Sequence, residues 1–230
     1  MAVTRILAIE TATAACSAAL YVDGEVEERY ALAPRQHAAL ILSMVESLLA
    51  SAELAVTQLD ALAFGQGPGA FTGVRIAASA AQGIAFGANL PVVPVSTLAA
   101  LAAGAMRETG ESHVMTALDA RMDEVYWGVY TGDAAGLPVL QGRETVAGPD
   151  DVPVPGDGDW VAAGSGWGAY AGLLMPRAGE RVVRLLPDLE PGAHDVAVIG
   201  ADRFARGEVG RAGDAVPVYL RDRVVRAPGQ

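Results

Sequence analysis

From Gln36 to Ala52 the apolar residues Leu40, Ile41, Met44, Val45, Leu48 and Leu49 recur with helical spacing, on two adjoining stripes rather than one. Ahead of that helix the pattern shortens. Arg5 to Glu10 (RILAIE) and Cys16 to Val22 (CSAALYV) predict strands, and Asp23-Gly24 is a two-residue hairpin signal leading into a third, more exposed strand over Glu25 to Ala31. Next come an apolar strand at Ala61 to Gly65, a helix over Thr72 to Ala88 built almost wholly from small residues, and a strand at Pro91 to Val95. Ser96 then opens a further helix as its N-cap. Three antiparallel strands followed by β-α units predict a mixed sheet with helices on its faces.

The second half repeats that opening. His113 to Leu118 reads as a strand ending in Asp119, as the first strand ended in Glu10, and Glu124 to Thr131 and Leu137 to Thr145 read as two more. Gly148 to Asp159, rich in Pro, Gly and Asp, is a loop. Val161 to Gly164 is a strand running into the turn GSGWG, Ala193 to Arg206 a helix, and Val216 to Arg221 a short terminal segment. Two successive α/β modules follow, residues 1–108 and 109–230, with the boundary near Thr109 to Ser112.

Composition narrows the function classes. Hydrophobic residues make up 52% of 230 positions, ample for a core. The net charge of −11, with 16 Arg and no Lys, argues against a chain that grips nucleic acid alone, because phosphate neutralisation dominates such binding. Without an amine there is neither a Walker-type phosphate loop nor Schiff-base chemistry. Cys16 stands alone, which excludes a disulfide within the chain and a Cys-based zinc site and marks it as a small buried hydrophobe. No signal peptide is read ahead of the first strand, and no apolar run reaches the roughly 18 residues of a membrane span. The expected compartment is the cytoplasm.

Candidate chemistry is sparse. GQGPGAFTG (Gly65 to Gly73) is a Gly-Pro-Gly turn at a helix N-terminus, where backbone N–H groups and the macrodipole favour anions. Glu10 stands where some ATPases place an acid for metal and phosphate, but no tight Gly follows it. A carboxylate capping the Thr11–Thr13 turn is the simpler assignment. His37, His113 and His194 are isolated, and Ser79, Ser96 and Ser165 lack a G-x-S-x-G setting, so zincin-like and serine-hydrolase sites are not expected. Asp119, Arg121, Asp123 and Glu124 crowd a hairpin tip, where they are solvated and ion-paired or meet a partner. The two apolar helices carry more apolar surface than one sheet requires. Leu40, Ile41, Met44, Val45 and Leu48, with Gly73, Ala77, Ala80, Ala81 and Ile84, are therefore expected at a helical interface between subunits.

The stretches ILAIETATAACSAAL, FGQGPGAFTGVRIAASAAQGIAF, VVPVSTLAALA, ALDARMDEVYWGVY and PVYLR closely resemble the TsaB (YeaZ) family over essentially the whole chain. That resemblance implies an actin/Hsp70-like fold of two ribonuclease-H-like domains and a non-catalytic paralogue of the transferase TsaD. TsaD holds its metal with a His pair in a segment similar to VSTLAAL, and here those positions read Thr97 and Leu101. It further implies a scaffold that binds TsaD through the N-terminal helices and recruits the ATPase TsaE. The set then threonylcarbamoylates the adenosine beside the anticodon of tRNAs reading A-starting codons. By the same resemblance, tRNA is expected to be met only through the complex, and the chain alone is expected to form a homodimer. No cofactor or metal is expected on the chain itself. Nucleotide, if bound, lies at a junction with partners near Glu10, Arg121 and Glu124. The competing assignments are an independent ATPase or small-molecule kinase on the same fold, and a metallopeptidase.

Overall fold

The computed structural model describes residues 3–221. Strands β1 (Arg5–Glu10), β2 (Ala15–Val22) and β3 (Glu25–Leu32) run antiparallel, joined at Asp23-Gly24 by a turn whose φ values, 50° and 103°, are both positive as the hairpin signal requires. After α1 (His37–Ser51) come β4 (Ala61–Gly65), α2 (Phe71–Ala88), β5 (Val92–Val95) and α3 (Thr97–Thr109). β4 pairs parallel to both β1 and β5, giving the sheet order β3-β2-β1-β4-β5.

The second half builds β6 (His113–Arg121), β7 (Glu124–Gly132), β8 (Pro138–Leu140), β9 (Thr145–Ala147), β10 (Trp160–Ala163), α4 (Ser165–Ala169), α5 (Ala171–Ala178), β11 (Val182–Leu186) and α6 (Ala193–Ala205). Its sheet reads β11-β10-β6-β7-β8, the same winding as the first half, with β9 also paired to β7. The strand expected over Leu137 to Thr145 is broken. β8 pairs with Tyr130–Gly132 and β9 with Val125–Trp127, while Gly142 (φ 82°) turns the intervening residues off the ladder and delivers Glu144 inward. GSGWG is the start of α4 rather than a turn, and α5 and β11 were not anticipated. Residues 222–230 of the expected second module lie outside the described residues.

Five layers result. α1 and α2 cover the outer face of the first sheet over Leu7, Ile9, Leu20, Leu62 and Phe64. α4, α5 and the loop around Val152 cover the outer face of the second, where Trp127 and Trp167 sit 5.5 Å apart. Between the sheets lie α3 and α6, and here the chain crosses over. α3, from the first half, packs on β6 and β7; α6, from the second half, packs on β1, β2 and β4. Gly200 permits that approach, since a Cβ there would stand 2.6 Å from the Ala63 side chain. From Leu98 to Met106 α3 is apolar all round because it is enclosed over that stretch, while Arg107 and Glu108 at its end are exposed.

Candidate functional site

β1 ends in Glu10, which is wholly buried. One carboxylate oxygen accepts from the Ala12 N–H (2.7 Å) and the other from the Thr97 hydroxyl (3.0 Å). Space for it comes from Gly65, where a Cβ would stand 2.0 Å from a Glu10 oxygen. Burial raises its pKa to about 7, outweighing the hydrogen bonds that favour the charged form. Glu10 therefore caps its own turn, as the simpler assignment held.

That turn is shut from the other side by the Gly-Pro-Gly segment. The Ala70 N–H donates to the Ala12 carbonyl (2.7 Å), and the Thr11 hydroxyl donates to the Gly73 carbonyl (2.8 Å). A Cβ on Gly69 would fall 2.4 Å from the Ala12 carbonyl oxygen, and one on Gly73 2.1 Å from that of Thr11. These glycines let the first turn of α2 press against the Thr11–Ala12 backbone, and the Ala70 N–H is spent there rather than left for an anion. Beside them Ser96 caps α3, accepting from the Leu98 and Ala99 N–H groups at 3.1 and 3.2 Å. Thr97 is committed to Glu10, and Leu101 is fully buried in the central core.

The β6–β7 tip is the second half's counterpart of this turn. Arg121, Met122 and Asp123 follow one another with φ of 61°, 58° and 60°, left-handed values that cost non-glycine residues roughly 1–2 kcal/mol each. Two ion pairs hold them. Arg121 pairs with Asp119 at 2.8 Å, and the Arg221 guanidinium pairs with Glu124 while donating to the Ala120 carbonyl (3.1 Å). Arg221 ends a strap whose Val218 N–H donates to the Gln66 carbonyl (2.8 Å) and whose Tyr219 ring lies 6.2 Å from Phe71. The strap ties the Gly-Pro-Gly loop of one half to the hairpin tip of the other. Of the expected junction residues, Arg121 and Glu124 share this surface and Glu10 does not, because it is sealed behind Gly65 and Ala12.

A second link between the halves had no sequence signal. The Ser96 and Tyr130 hydroxyls both donate to Glu144, and burial together with that carboxylate pushes the Tyr130 phenol well up. The three histidines lie apart from one another, each against a different neighbour. His37 faces the Ala15 carbonyl (3.2 Å), His113 lies edge-on to Trp160, and His194 sits beside Asp195. Burial raises the Cys16 thiol to about 11, so it behaves as the small hydrophobe expected.

The helical interface set divides. Ile41, Val45 and Leu48 of α1 and Gly73, Ala77 and Ala81 of α2 are buried in the chain's own core and have no surface to offer; here the expectation is corrected. The sheet face consumed both predicted stripes of α1 in part, because Leu48 turns inward with Ile41 and Val45. Leu40, Met44, Ala80 and Ile84 remain half-buried, packed against that core yet reachable. Among the described residues nothing lies within 4 Å of a Cβ on Gly83 or Gly87, Leu42 is 52% exposed and Phe86 83%.

Two sheets of one winding, stacked across two shared helices, define an actin/Hsp70-like protein of two ribonuclease-H-like domains. Residues 29–142 match the family model described as TsaD, tRNA N6-adenosine threonylcarbamoyltransferase. The Escherichia coli protein named tRNA threonylcarbamoyladenosine biosynthesis protein TsaB is 43% identical over 98% of this chain and 99% of its own length. Its Haemophilus influenzae namesake is 35% identical, over 98% of each chain. The solved structure of YeaZ from Pseudomonas aeruginosa superposes with a TM-score of 0.88 at 47% identity, over 94% of this chain and all of that one. The chain belongs to the TsaB family. Among the described residues no helix is long and apolar enough to cross a membrane.

Proposed function

We propose that this chain acts in tRNA threonylcarbamoyladenosine biosynthesis as a non-catalytic partner of the TsaD transferase, helps recruit the TsaE ATPase, and meets tRNA only within that complex. The observation that carries this reading is the outer surface of α1 and α2. Leu40, Met44, Ala80 and Ile84 form an apolar face beside Gly83 and Gly87, where another helix can approach backbone to backbone. The closed Glu10 turn supports the non-catalytic part, because the carboxylate at the end of β1 is spent on its own backbone and on Thr97. Self-pairing through the same helices makes the homodimer and the TsaD heterodimer mutually exclusive.

Reconstitution with the TsaD and TsaE of the same cell, omitting each protein in turn, tests the assignment: tRNA modification should require all three. Met44→Glu and Ala80→Glu, made separately, should weaken homodimer and heterodimer together by about a hundredfold, because a carboxylate buried unpaired costs several kcal/mol. Folded variants that bind TsaD as the parent does would place the interface elsewhere.

A further inference from the structure

At the far end of α3 from Ser96, a cavity of about 340 Å³ lies between α3, the Asp133–Leu137 turn joining β7 to β8, and the start of α6. That volume falls within the roughly 300–1,000 Å³ of small-molecule sites. Its floor is apolar, made by Ala103, Met106, Leu137 and Val198. One wall is a polar cluster built around Asp195, whose side chain is 6% exposed. The carboxylate accepts from Arg107 Nε (3.0 Å) and Nη2 (2.9 Å), and Gly104 makes room for it, since a Cβ there would stand 3.0 Å away. Burial opposes the charge of Asp195, yet the hydrogen bonds from His194 and Arg107 hold its carboxyl below the usual carboxylate range, so the pair is ionised. His194 Nδ1 lies 3.3 Å from the same carboxylate, and the His194 backbone N–H donates to Glu28 (2.9 Å). A neutral imidazole that donates from Nδ1 keeps Nε2 as an acceptor.

Among the described residues, Arg107 Nη1 and His194 Nε2 have no hydrogen-bond partner. A free donor and a free acceptor, both anchored on one carboxylate, thus line the same apolar-floored cavity. The remaining charges decide what fits. Glu111 lines the rim, and Asp133 stays an anion although its Oδ1 accepts from the Ala135 and Leu137 N–H groups (2.8 and 2.9 Å). A carboxylate ligand would meet these two acids and leave Nε2 without a donor. An ammonium would meet the N–H groups of Arg107, which offer it no acceptor. We propose that this cavity binds a small neutral molecule carrying an amide on an apolar body, with its N–H donated to His194 Nε2 and its carbonyl accepting from Arg107 Nη1. The residues that form it lie on α3, α6 and the β7–β8 turn, so the site is separate from the helical interface on α1 and α2.

The full chain, isotopically labelled, is titrated near pH 8 with benzamide, benzoate and benzylamine, which share an apolar ring and differ in the head group. Benzamide should bind in the millimolar range and shift the amides of Ala103, Met106, Arg107, Leu137 and His194. It should bind on the order of tenfold more tightly than either charged analogue. His194→Phe keeps a ring but removes the acceptor, and should weaken benzamide by on the order of tenfold. His194→Gln, whose amide oxygen can reach the place of Nε2, should keep most of the affinity. Leu137→Trp fills the cavity without touching the ion pair and should abolish the shifts. The proposal is overturned by no binding of benzamide, by benzoate or benzylamine binding as tightly, or by shifts that map to other residues. It is equally overturned by benzamide binding that either His194→Phe or Leu137→Trp leaves unchanged.

Discussion

Glu10 shows how far single residues can be read from spacing. That it ends a strand and caps the following turn is legible, because an acid before Thr-Ala-Thr has backbone N–H groups within reach. Its total burial is not, because the lid is Gly65, remote in sequence, and Thr97, which reaches it from another helix. Burial has a measurable consequence. With the folded-state pKa raised from 4.5 to about 7, the folded chain holds this proton more tightly than the unfolded chain. The resulting stabilisation is complete below pH 4.5 and lost as pH rises through 7, a change of about 3 kcal/mol at 1.36 kcal/mol per unit. Urea midpoints should therefore fall between pH 4.5 and 7 and level off above. Glu10→Gln, whose amide can still accept from Ala12 and donate to Thr97, should flatten that slope and exceed the parent at pH 8. An unchanged slope in the variant would mean that the carboxylate is hydrated in solution.

At the scale of elements, strong periodicity or a clear turn signal sufficed. β1, β4, α1 and α2 fall within a residue or so of expectation, while α5 was missed because Gly172 and Pro176 mask its eight residues and β11 because five residues show no period. Which face of a helix is used was beyond the sequence, since Leu48 and Ala81 are as apolar as Leu40 and Ala80. α2 gives a sharp test, because one substitution should act oppositely at two of its positions. Gly73→Ala drives a methyl to 2.1 Å from the Thr11 carbonyl oxygen and should cost about 2–3 kcal/mol or more, read as a loss of thermal stability. Gly83→Ala meets no atom of the described residues within 4 Å and should gain roughly 0.5–1 kcal/mol from helix propensity. If the proposed face is right, the same Gly83→Ala should weaken helix pairing in sedimentation, since the added methyl occupies the closest approach. A variant more stable yet equally associated would separate α2 from the interface.

Across the whole molecule, the sequence showed the duplication of strands and concealed the exchange of helices. A cut near Thr109 divides the two sheets cleanly but leaves α3 with the wrong sheet and removes α6 from the face formed by Ile6, Ala8, Ala19, Ala61 and Ala63. Strand winding is written locally in alternation and hairpin signals, whereas α6 is set on the first sheet by contacts more than a hundred residues away, among them the Ala193 N–H donating to the Ser17 hydroxyl (2.8 Å). The Ser96–Glu144–Tyr130 link and the Arg221 strap join the halves again at separate places. Two domains in topology should therefore behave as one unit in folding. Residues 1–108 produced alone should lack a cooperative transition, because the inner face of the sheet is bare, and residues 109–230 alone should fail likewise without α3. Mixing the two fragments should restore a single transition and the native near-ultraviolet spectrum. If residues 1–108 unfold cooperatively by themselves with native-like amide protection in β1, β2 and β4, then α6 is an ornament on an autonomous domain and the shared-helix account of stability is wrong.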